Sequence, residues 1–379
     1  MKKMNKLGVL LLISVLSFNN MSAQTQIDTR DIGGITTAVP FLLIIPDARA
    51  GGMGDIGVAT SADAFSLFHN PAKIAFSNRQ ILTAITYSPW LRNLTDDIFT
   101  GSLSYINRFS ENAAWGADLK YFSLGQIDLT DSSGNSNGII NPNELAFTGS
   151  YSLKLSETFS MGVSLKYLRS NLTLTGVSGS LQPINSFAVD VSGYYQSLEE
   201  NYGNFNGRYR IGFNIANIGP KVNYTTDANN EDFIPTNLKL GGGFDFILDD
   251  YNTISTTLEF TKLLVPSVND ADNEQGWING IFSSFGDAPG GFSEEMKEVT
   301  YAFGAEYLYN NAFALRTGYF HESEEKGNRQ YFTLGGGFKT NALNIDLSYL
   351  VNASDVNNPL ENSLRFSLSF DLGEIYEEY

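Results

Sequence analysis

The feature that most constrains this chain is a two-residue alternation of apolar and polar side chains that recurs along most of its length. In the clearest copy, Leu145 to Leu155, Leu, Phe, Gly, Tyr, Leu and Leu alternate with Ala, Thr, Ser, Ser and Lys. Since successive residues of a strand point to opposite faces, each such segment has one apolar and one polar face. From Gln80 onward the sequence holds fourteen segments of about ten residues, separated by turn-forming residues.

The length and polarity of these segments favour a closed barrel in a membrane over a soluble sheet. About ten residues allow a tilted strand to cross the hydrocarbon layer, whereas strands of soluble sandwiches have about five or six. In lipid every backbone group needs a partner, so the sheet must close. Charges lie on the face without aromatics, the reverse of a soluble barrel. These charged residues are Lys120, Lys166, Asp190, Lys239, Asp245, Glu259 and Glu306.

The composition agrees with this fold. The chain has 27 Phe, 19 Tyr and 36 Gly, which favour strands and turns over helices. It has no Cys, which excludes disulfides, thiolate nucleophiles and Cys metal sites. We therefore predict an all-β protein, a 14-stranded antiparallel transmembrane β-barrel over residues 80–371, with a periplasmic C-terminal tail over residues 372–379.

The N-terminus predicts export. Lys2, Lys3 and Lys6 form a basic region, Leu7–Phe18 is a short apolar stretch, and small residues precede a cleavage site after Ala23. This is the pattern of a signal peptide, which we assign to residues 1–23, and it is too short for a stable membrane helix. Cleavage removes three Lys and no acid, so the net charge falls from −17 to −20. Such a charge argues against nucleic acid as a partner.

The connections between the predicted strands alternate between short turns and longer loops. Outer-membrane barrels have short periplasmic turns and long extracellular loops. We therefore expect an outer-membrane protein with both termini in the periplasm and seven loops outside the cell. The turn Leu198–Gly207 is unusually long for a turn on the periplasmic side. The predicted outer loops are residues 89–97, 125–143, 173–185, 218–236, 264–298, 322–328 and 351–362.

Two of these loops are too apolar for a purely solvated surface. Exposed apolar clusters of this kind usually contact a partner. An equally weighted alternative is that they fold back into the barrel mouth as a lid, or belong to the aromatic girdle. The candidate partner-contact residues are Trp90, Leu91 and Leu94 in one loop, and Trp277, Ile278, Ile281, Phe282, Phe285 and Phe292 in the other.

Residues 24–79 do not follow the strand pattern. They are apolar and Gly-rich, and they can fill a lumen that is too wide for the wall's own side chains. Asn70, Pro71 and Ala72, just before the first strand, resemble the NPA motif in the N-terminal hatch of the FadL family. The resemblance implies a fourteen-stranded barrel of the kind that imports hydrophobic compounds, with these three residues in an N-terminal lumenal plug.

The arrangement is more specifically similar to the PorV family, the FadL-like subunits of the Bacteroidota type IX secretion system. The residues that carry this resemblance are Ala48–Asp55, Phe68–Lys73 and Asn141–Phe147, and it covers the full mature chain. It implies a non-enzymatic protein that binds C-terminal signal domains of cargo at a giant outer-membrane translocon and shuttles cargo to a cell-surface attachment complex. Outer-membrane lipid and lipopolysaccharide would surround it.

Two other functions stay open. One is a FadL-type transporter of small hydrophobic compounds, which should show an apolar pocket and a side opening in the wall. The other is a role in lipopolysaccharide deacylation, which is implied by LptO, a second name of the family. No G-x-S-x-G motif occurs, and no Ser/His/acid order stands out for a hydrolase.

Three further motifs resemble ligand sites. Gly52–Gly57 satisfies G-x-G-x-x-G, but no α/β pattern follows it. Ser133–Glu144 has the spacing of a calcium loop, but it begins with Ser and its flanks read as strands, so a turn-rich loop is favoured. Neither His69 nor His321 has metal-ligating neighbours at useful spacing. We predict no cofactor, no metal and no catalytic residue.

Overall fold

The computed structural model describes residues 34–90, 95, 97–130, 133, 135–172, 181–225, 231–267, 275–354 and 364–376. Fourteen long antiparallel strands form one sheet, which closes where the first strand pairs with the last. The predicted fold class and strand number are thereby confirmed. The strands are β1 Arg79–Pro89, β2 Ile98–Arg108, β3 Ala113–Leu124, β4 Asn143–Lys154, β5 Phe159–Asn171, β6 Ile184–Gln196, β7 Asn206–Ile218, β8 Asn237–Ile247, β9 Asn252–Leu263, β10 Val299–Tyr309, β11 Phe313–His321, β12 Gln330–Lys339, β13 Leu343–Asn352 and β14 Leu364–Ile375.

The other elements are short. No helix in the described ranges is both long and apolar enough to span a membrane. Before the barrel lie the 3-10 helix Pro40–Leu43, helix α1 Ala48–Gly51, helix α2 Ser66–His69 and the 3-10 helix Pro71–Phe76. Between barrel strands lie the hairpin Ile127–Thr130 with Ser136–Ile140, the two-residue strand Glu200–Asn201 beside β7, helix α3 Trp277–Ser283, helix α4 Phe292–Glu295 and the 3-10 helix Met296–Glu298.

Short and long connections alternate around the barrel, and they define its two ends. We call them the short-turn end and the long-loop end. The short turns are residues 109–112, 155–158, 197–205, 248–251, 310–312 and 340–342. The long connections are residues 90–97, 125–142, 172–183, 219–236, 264–298, 322–329 and 353–363.

The wall has an apolar outer face and a polar inner face. In β4, Phe147 and Tyr151 are exposed, whereas Thr148, Ser150 and Ser152 are buried. This alternation holds the register, because a slip by one residue would turn every polar side chain toward lipid. Six of the seven charged residues that the sequence places on the polar face lie inside in the pairs Arg210–Asp245, Lys239–Glu259, Lys166–Asp190 and Arg316–Glu306. The seventh, Lys120, donates to the carbonyl oxygen of Leu42 at 3.2 Å.

The last strand, β14, continues to Ile375, past the predicted boundary at residue 371. Its pairing with β1 shifts register between Arg79 and Ile81, and Gly373 adopts a φ of +79°. Such a bulge inserts an extra residue into one strand, and glycine reaches the left-handed conformation without steric cost. The bulge breaks the alternation, so a strand predicted from the alternation alone ends too early.

Residues 34–78, which we call the N-terminal segment, pass through the inside of the barrel. Gly34 lies against the carbonyl oxygen of Lys326 at the long-loop end, and the carbonyl of Ser77 accepts a hydrogen bond from Arg108 at the short-turn end. The segment crosses the lumen before β1 begins, so Gly34 lies at the long-loop end whereas β1 begins at the short-turn end. The predicted signal peptide, residues 1–23, lies outside the described residues.

The predicted plug residues join this segment to the wall. Asn70 Nδ2 donates to the carbonyl oxygens of Val58 at 2.8 Å and of Gly193, in β6, at 3.0 Å. Asn70 Oδ1 accepts from the backbone nitrogen of Ala72 at 3.0 Å, and this bond caps the 3-10 helix that begins at Pro71. All three motif residues are buried. The motif is therefore a buried polar junction between segment and wall.

Ion pairs join the segment to the opposite wall. Arg49 donates to Asp63 at 2.6 Å and to Glu306, in β10, at 3.0 Å. Asp55 pairs with Arg365 in β14. Breaking a buried pair of this kind is costly, because one charge is left without a partner. Whether these contacts close the lumen to solutes stays a prediction.

The replacement Asn70→Asp tests the junction. It removes two donors and faces a carboxylate toward two carbonyl oxygens, and we expect a loss of about 2–4 kcal/mol in the binding of the segment. In detergent, proteases should cleave the N-terminal segment at least tenfold faster, and unfolding should begin at lower temperature. The matched control is Asn78→Asp at an exposed position. Equal protease resistance of both variants would show that Asn70 does not hold the segment.

Candidate functional site

The connection between β9 and β10, residues 264–298, is the longest in the barrel and folds at the long-loop end. Helix α3 packs against the neighbouring connection, residues 219–236, through Gly280. A Cβ at Gly280 would lie 2.5 Å from the ring of Phe233, so only glycine allows this approach. The contact holds α3 over the rim of the barrel.

Two lysines bind this connection through ion pairs on two sides. Lys262, in β9, donates to Glu295 at 2.9 Å and to Glu298 at 2.7 Å. Lys326, in the connection before β12, donates to Glu294 at 2.8 Å and to Glu298 at 3.3 Å. Three successive carboxylates of α4 and its extension are thus held by the barrel wall and by a second loop. This gives the connection a defined orientation.

The ionisation of Glu298 keeps this anchor intact at neutral pH. Burial raises the pKa of its carboxyl, but hydrogen bonds from Lys262 and Ser267 outweigh that effect and hold the pKa below its ordinary value. A carboxyl with a lowered pKa contributes stability above its unfolded pKa and loses it as the pH falls through the folded pKa. The anchor therefore weakens only in acid, below the ordinary range of Glu.

Five large apolar side chains of this connection are each more than half exposed. Those on α3 and just after it are spaced by four and three residues, and those on α4 and its extension by four, so each set shares one helical face. Patches of this kind on soluble loops mark contact sites. We call them the apolar patch: Ile278, Phe282, Phe285, Phe292 and Met296.

The patch contains four of the predicted partner-contact residues and adds Met296. Trp277 and Ile281 are half-buried. Met296 stands among charged residues, so composition does not reveal it, but its spacing from Phe292 does. Lys262 and the three glutamates that hold the patch also carry no signal in the sequence, because their pairing depends on the fold.

The other apolar loop behaves differently. Trp90 is half-buried and meets the ring of Phe122 edge to face, with 5.9 Å between the ring centres. Both rings pack with Val39 and Phe41 of the N-terminal segment. For Trp90 these contacts favour the fold-back alternative. Leu91 and Leu94 lie outside the described residues.

The surroundings of the patch are acidic. The seven long connections together hold nineteen Asp or Glu and only five Lys or Arg. Three of these bases already have acidic partners, in the pairs Lys297–Glu325, Lys326–Glu294 and Arg329–Glu322. The long connections therefore carry a large excess of negative charge in their sequence, and eleven of these acids and four of these bases lie within the described residues.

A cavity of about 740 Å³ opens at the same end, between the N-terminal segment and the inner wall of β9 to β12. Its lining is mixed. Apolar side chains in the lining include Phe41, Ile44, Leu263, Phe320 and Tyr331. Its charged side chains are Asp55, Lys239, Glu259, Glu298, Glu322, Lys326, Arg329 and Arg365.

The glycine motif serves close packing in the N-terminal segment. A Cβ at Gly52 would lie 3.0 Å from Gly335 of the wall, and one at Gly57 would lie 2.2 Å from the ring of His69. The wall strands within the described residues pair antiparallel, so they provide no βαβ unit for a dinucleotide.

Glu144, the acid at the end of the calcium-like sequence, points away from a calcium site. Glu144 points to the inner wall, where it accepts a hydrogen bond from Ser170 at 2.7 Å. In the described part of the chain, no group of three or more His, Asp or Glu is placed to hold a metal ion. The ring of His69 contacts Asp47 at 2.6 Å and that of His321 contacts Tyr319 at 3.3 Å, so neither contact is a serine hydroxyl.

Comparisons with known proteins agree with the barrel. A family model described as "Type IX secretion system protein PorV" matches residues 26–270. No curated protein matches the sequence. The toluene transporter TodX of Pseudomonas putida is similar in structure, with a TM-score of 0.51 and 12% identity over 87% of this chain and 99% of that one. A FadL homologue of Pseudomonas aeruginosa has a TM-score of 0.46 and 11% identity over 89% of this chain and 99% of its own.

At such low identity, the likeness to TodX shows a shared fold and nothing about function. The family match carries more, because it covers well over half of the 379 residues. The closed barrel with an apolar outer face fits a protein of the outer membrane. The chain therefore belongs to the PorV family and is an outer-membrane component of the type IX secretion system.

Proposed function

We propose that this protein binds the C-terminal signal domains of secreted cargo at the translocon and shuttles the cargo to the cell-surface attachment complex. Membership of the PorV family supports a place in the secretion system. The single observation that supports partner binding is the apolar patch. It offers exposed aromatic side chains on helices that ion pairs hold in place, and interfaces draw most of their affinity from a few such residues.

The proposal requires that the long-loop end faces the outside of the cell. Outer-membrane barrels keep their short turns in the periplasm and their long loops outside. β1 begins and β14 ends at the short-turn end, where Arg79 pairs with Ile375. With that orientation, the patch faces cargo that has emerged at the cell surface.

The charge around the patch favours a protein over the lipid surface as its partner. Lipopolysaccharide carries anionic head groups, and like charges placed against one another cost several kcal/mol. The excess of acid at the long-loop end therefore repels an anionic leaflet, while it attracts a protein with basic groups around an apolar centre. Lipid then contacts the outer face of the wall.

The alternative functions have less support. The cavity gives some support to a transporter of small hydrophobic compounds. However, buried ion pairs line that cavity, and the N-terminal segment occupies the lumen beyond it. For lipopolysaccharide deacylation, the two histidines contact an Asp and a Tyr. In a serine hydrolase the ring nitrogen of the histidine that does not face the acid meets a serine hydroxyl, and among the described residues Nδ1 of His69 has no hydrogen-bond partner.

The triple replacement of Phe282, Phe285 and Phe292 by Ser should uncouple partner capture from folding. Burying one Phe contributes about 1.5–3 kcal/mol, so we expect recovery of the translocon and of C-terminal signal domains to fall at least tenfold. The measurement is a pull-down from native membranes. The barrel should keep its compact electrophoretic form when it is not heated.

The matched control is Ile139→Ser, which removes an equally exposed apolar side chain from the hairpin at the same end. Its pull-down should equal that of the unaltered protein. Full capture by the triple variant would remove the patch from the proposal. Recovery of bound fatty acid with neither protein partner would place the transporter alternative first.

Lys262→Met tests whether the orientation of the patch matters. Met fills the space but leaves Glu295 and Glu298 without one of their cations, so the connection should loosen while the wall stays intact. We expect protease cleavage within residues 264–298 and a several-fold loss of capture, with Lys262→Arg restoring both. Normal capture by a loosened Met variant would mean that the patch needs no fixed orientation.

A further inference from the structure

We propose that the cavity at the long-loop end binds an extended, uncharged peptide segment of a protein seated on the apolar patch. The inference rests on the proposed function for the identity of that protein. The cavity's volume of about 740 Å³ falls within the range of about 300–1,000 Å³ that is usual for ligand pockets.

The charges in the lining exclude a charged ligand. All eight are already paired, as Lys239–Glu259 at 3.4 Å, Lys326–Glu298 at 3.3 Å, Arg329–Glu322 at 2.7 Å and Arg365–Asp55. A ligand charge that entered the cavity would lose its hydration and find no free counter-charge. The segment that fits is therefore neutral.

The polar lining favours a peptide over a hydrocarbon chain. Thr261 and Thr300 line the cavity on the wall side, next to the ion pairs. Thr300 Oγ1 donates to the carbonyl oxygen of Thr261 at 3.3 Å, and a hydrocarbon would displace water from both hydroxyls without offering them any further hydrogen bond, which is costly. Peptide amides offer both donors and acceptors to them, and apolar side chains offer contact with the rest of the lining.

The same cavity already has an uncharged stretch of the chain as one of its walls. Residues 34–45, which we call the strap, carry no charged side chain. The strap backbone is bound through Ala38, whose nitrogen donates to the carbonyl of Phe233 at 2.9 Å, and through Leu42, whose carbonyl accepts from Lys120 at 3.2 Å. This end of the barrel thus already binds an uncharged stretch of peptide.

The strap is also the part of the N-terminal segment best suited to make room. Val39 has a φ of +46°, a left-handed conformation that is unfavourable for a β-branched residue. Such strain costs about 1–3 kcal/mol, and it is released when the strap moves. The rest of the segment, by contrast, is held by the bonds of Asn70 and the ion pairs of Arg49 and Asp55.

The cavity adjoins the apolar patch through Glu298. This residue lines the cavity and also pairs with Lys262 and Lys326, which anchor the helices of the patch. A partner bound to the patch therefore lies at the cavity mouth. A free end of its chain can enter without leaving the patch.

The test uses the mature protein in lipid nanodiscs and a fluorescent probe. The probe is the blocked hexapeptide Ile-Thr-Thr-Ala-Val-Pro, the sequence of residues 35–40. We expect saturable binding by fluorescence anisotropy. Thr300→Trp, which fills the cavity, should weaken binding at least tenfold. The control Thr317→Trp places the same side chain on the exposed outer face of β11 and should change nothing.

A second measurement does not depend on a bulky substitution. The chain has no Cys, so Thr37→Cys places one thiol in the cavity lining. We expect the hexapeptide to slow maleimide labelling of this thiol about tenfold. A probe with Thr36→Lys and Thr37→Asp should give no protection.

Several results would overturn the inference. These are equal binding by the Thr300→Trp and Thr317→Trp variants, equal protection by the charged probe, or displacement of the hexapeptide by an equimolar amount of lauric acid. The triple Ser variant of the patch should still bind the hexapeptide. A failed pull-down with intact peptide binding would therefore count against the shuttle and not against the cavity.

Discussion

The whole structure depends on the need of backbone amides for hydrogen-bond partners where no water is present. A strand in lipid can satisfy its amides only from neighbouring strands, and an edge would leave a row of them unpaired. The pairing of β1 with β14 removes that edge. Closure in turn creates an inside, and the period of two sends every second side chain there. The polar lumen is therefore a consequence of closure.

The polar lumen of a fourteen-stranded barrel must be filled, and the N-terminal segment fills it. It meets the wall through buried hydrogen bonds at Asn70 and ion pairs at Arg49 and Asp55, which offset the cost of removing these groups from water. The two ends of the barrel then differ. The short-turn end consists mainly of short turns, whereas the long-loop end combines acidic loops, an exposed apolar patch and a cavity. The proposed contacts with proteins therefore lie at the second end.

The wall was predictable from sequence because its signal is local and repeated. Strand number, polarity of the faces and alternation of connections all follow from a period of two and from turn residues. The bulge at Gly373 was missed, because it breaks the period that the prediction uses. Among the apolar loop residues, composition does not separate Trp90, which packs on Phe122, from Phe282, which is exposed. That difference is set by contacts between residues distant in sequence.

The path of the N-terminal segment has a consequence for how the molecule is assembled. The segment precedes all fourteen strands in the chain, yet it lies within them and bonds to β6, β10 and β14. Threading it through a finished cylinder would require breaking contacts at both rims. We therefore expect the strands to close around the segment, with the pairing of β1 and β14 completed last. A stretch of chain that is made before every strand would then serve as the core around which the barrel closes.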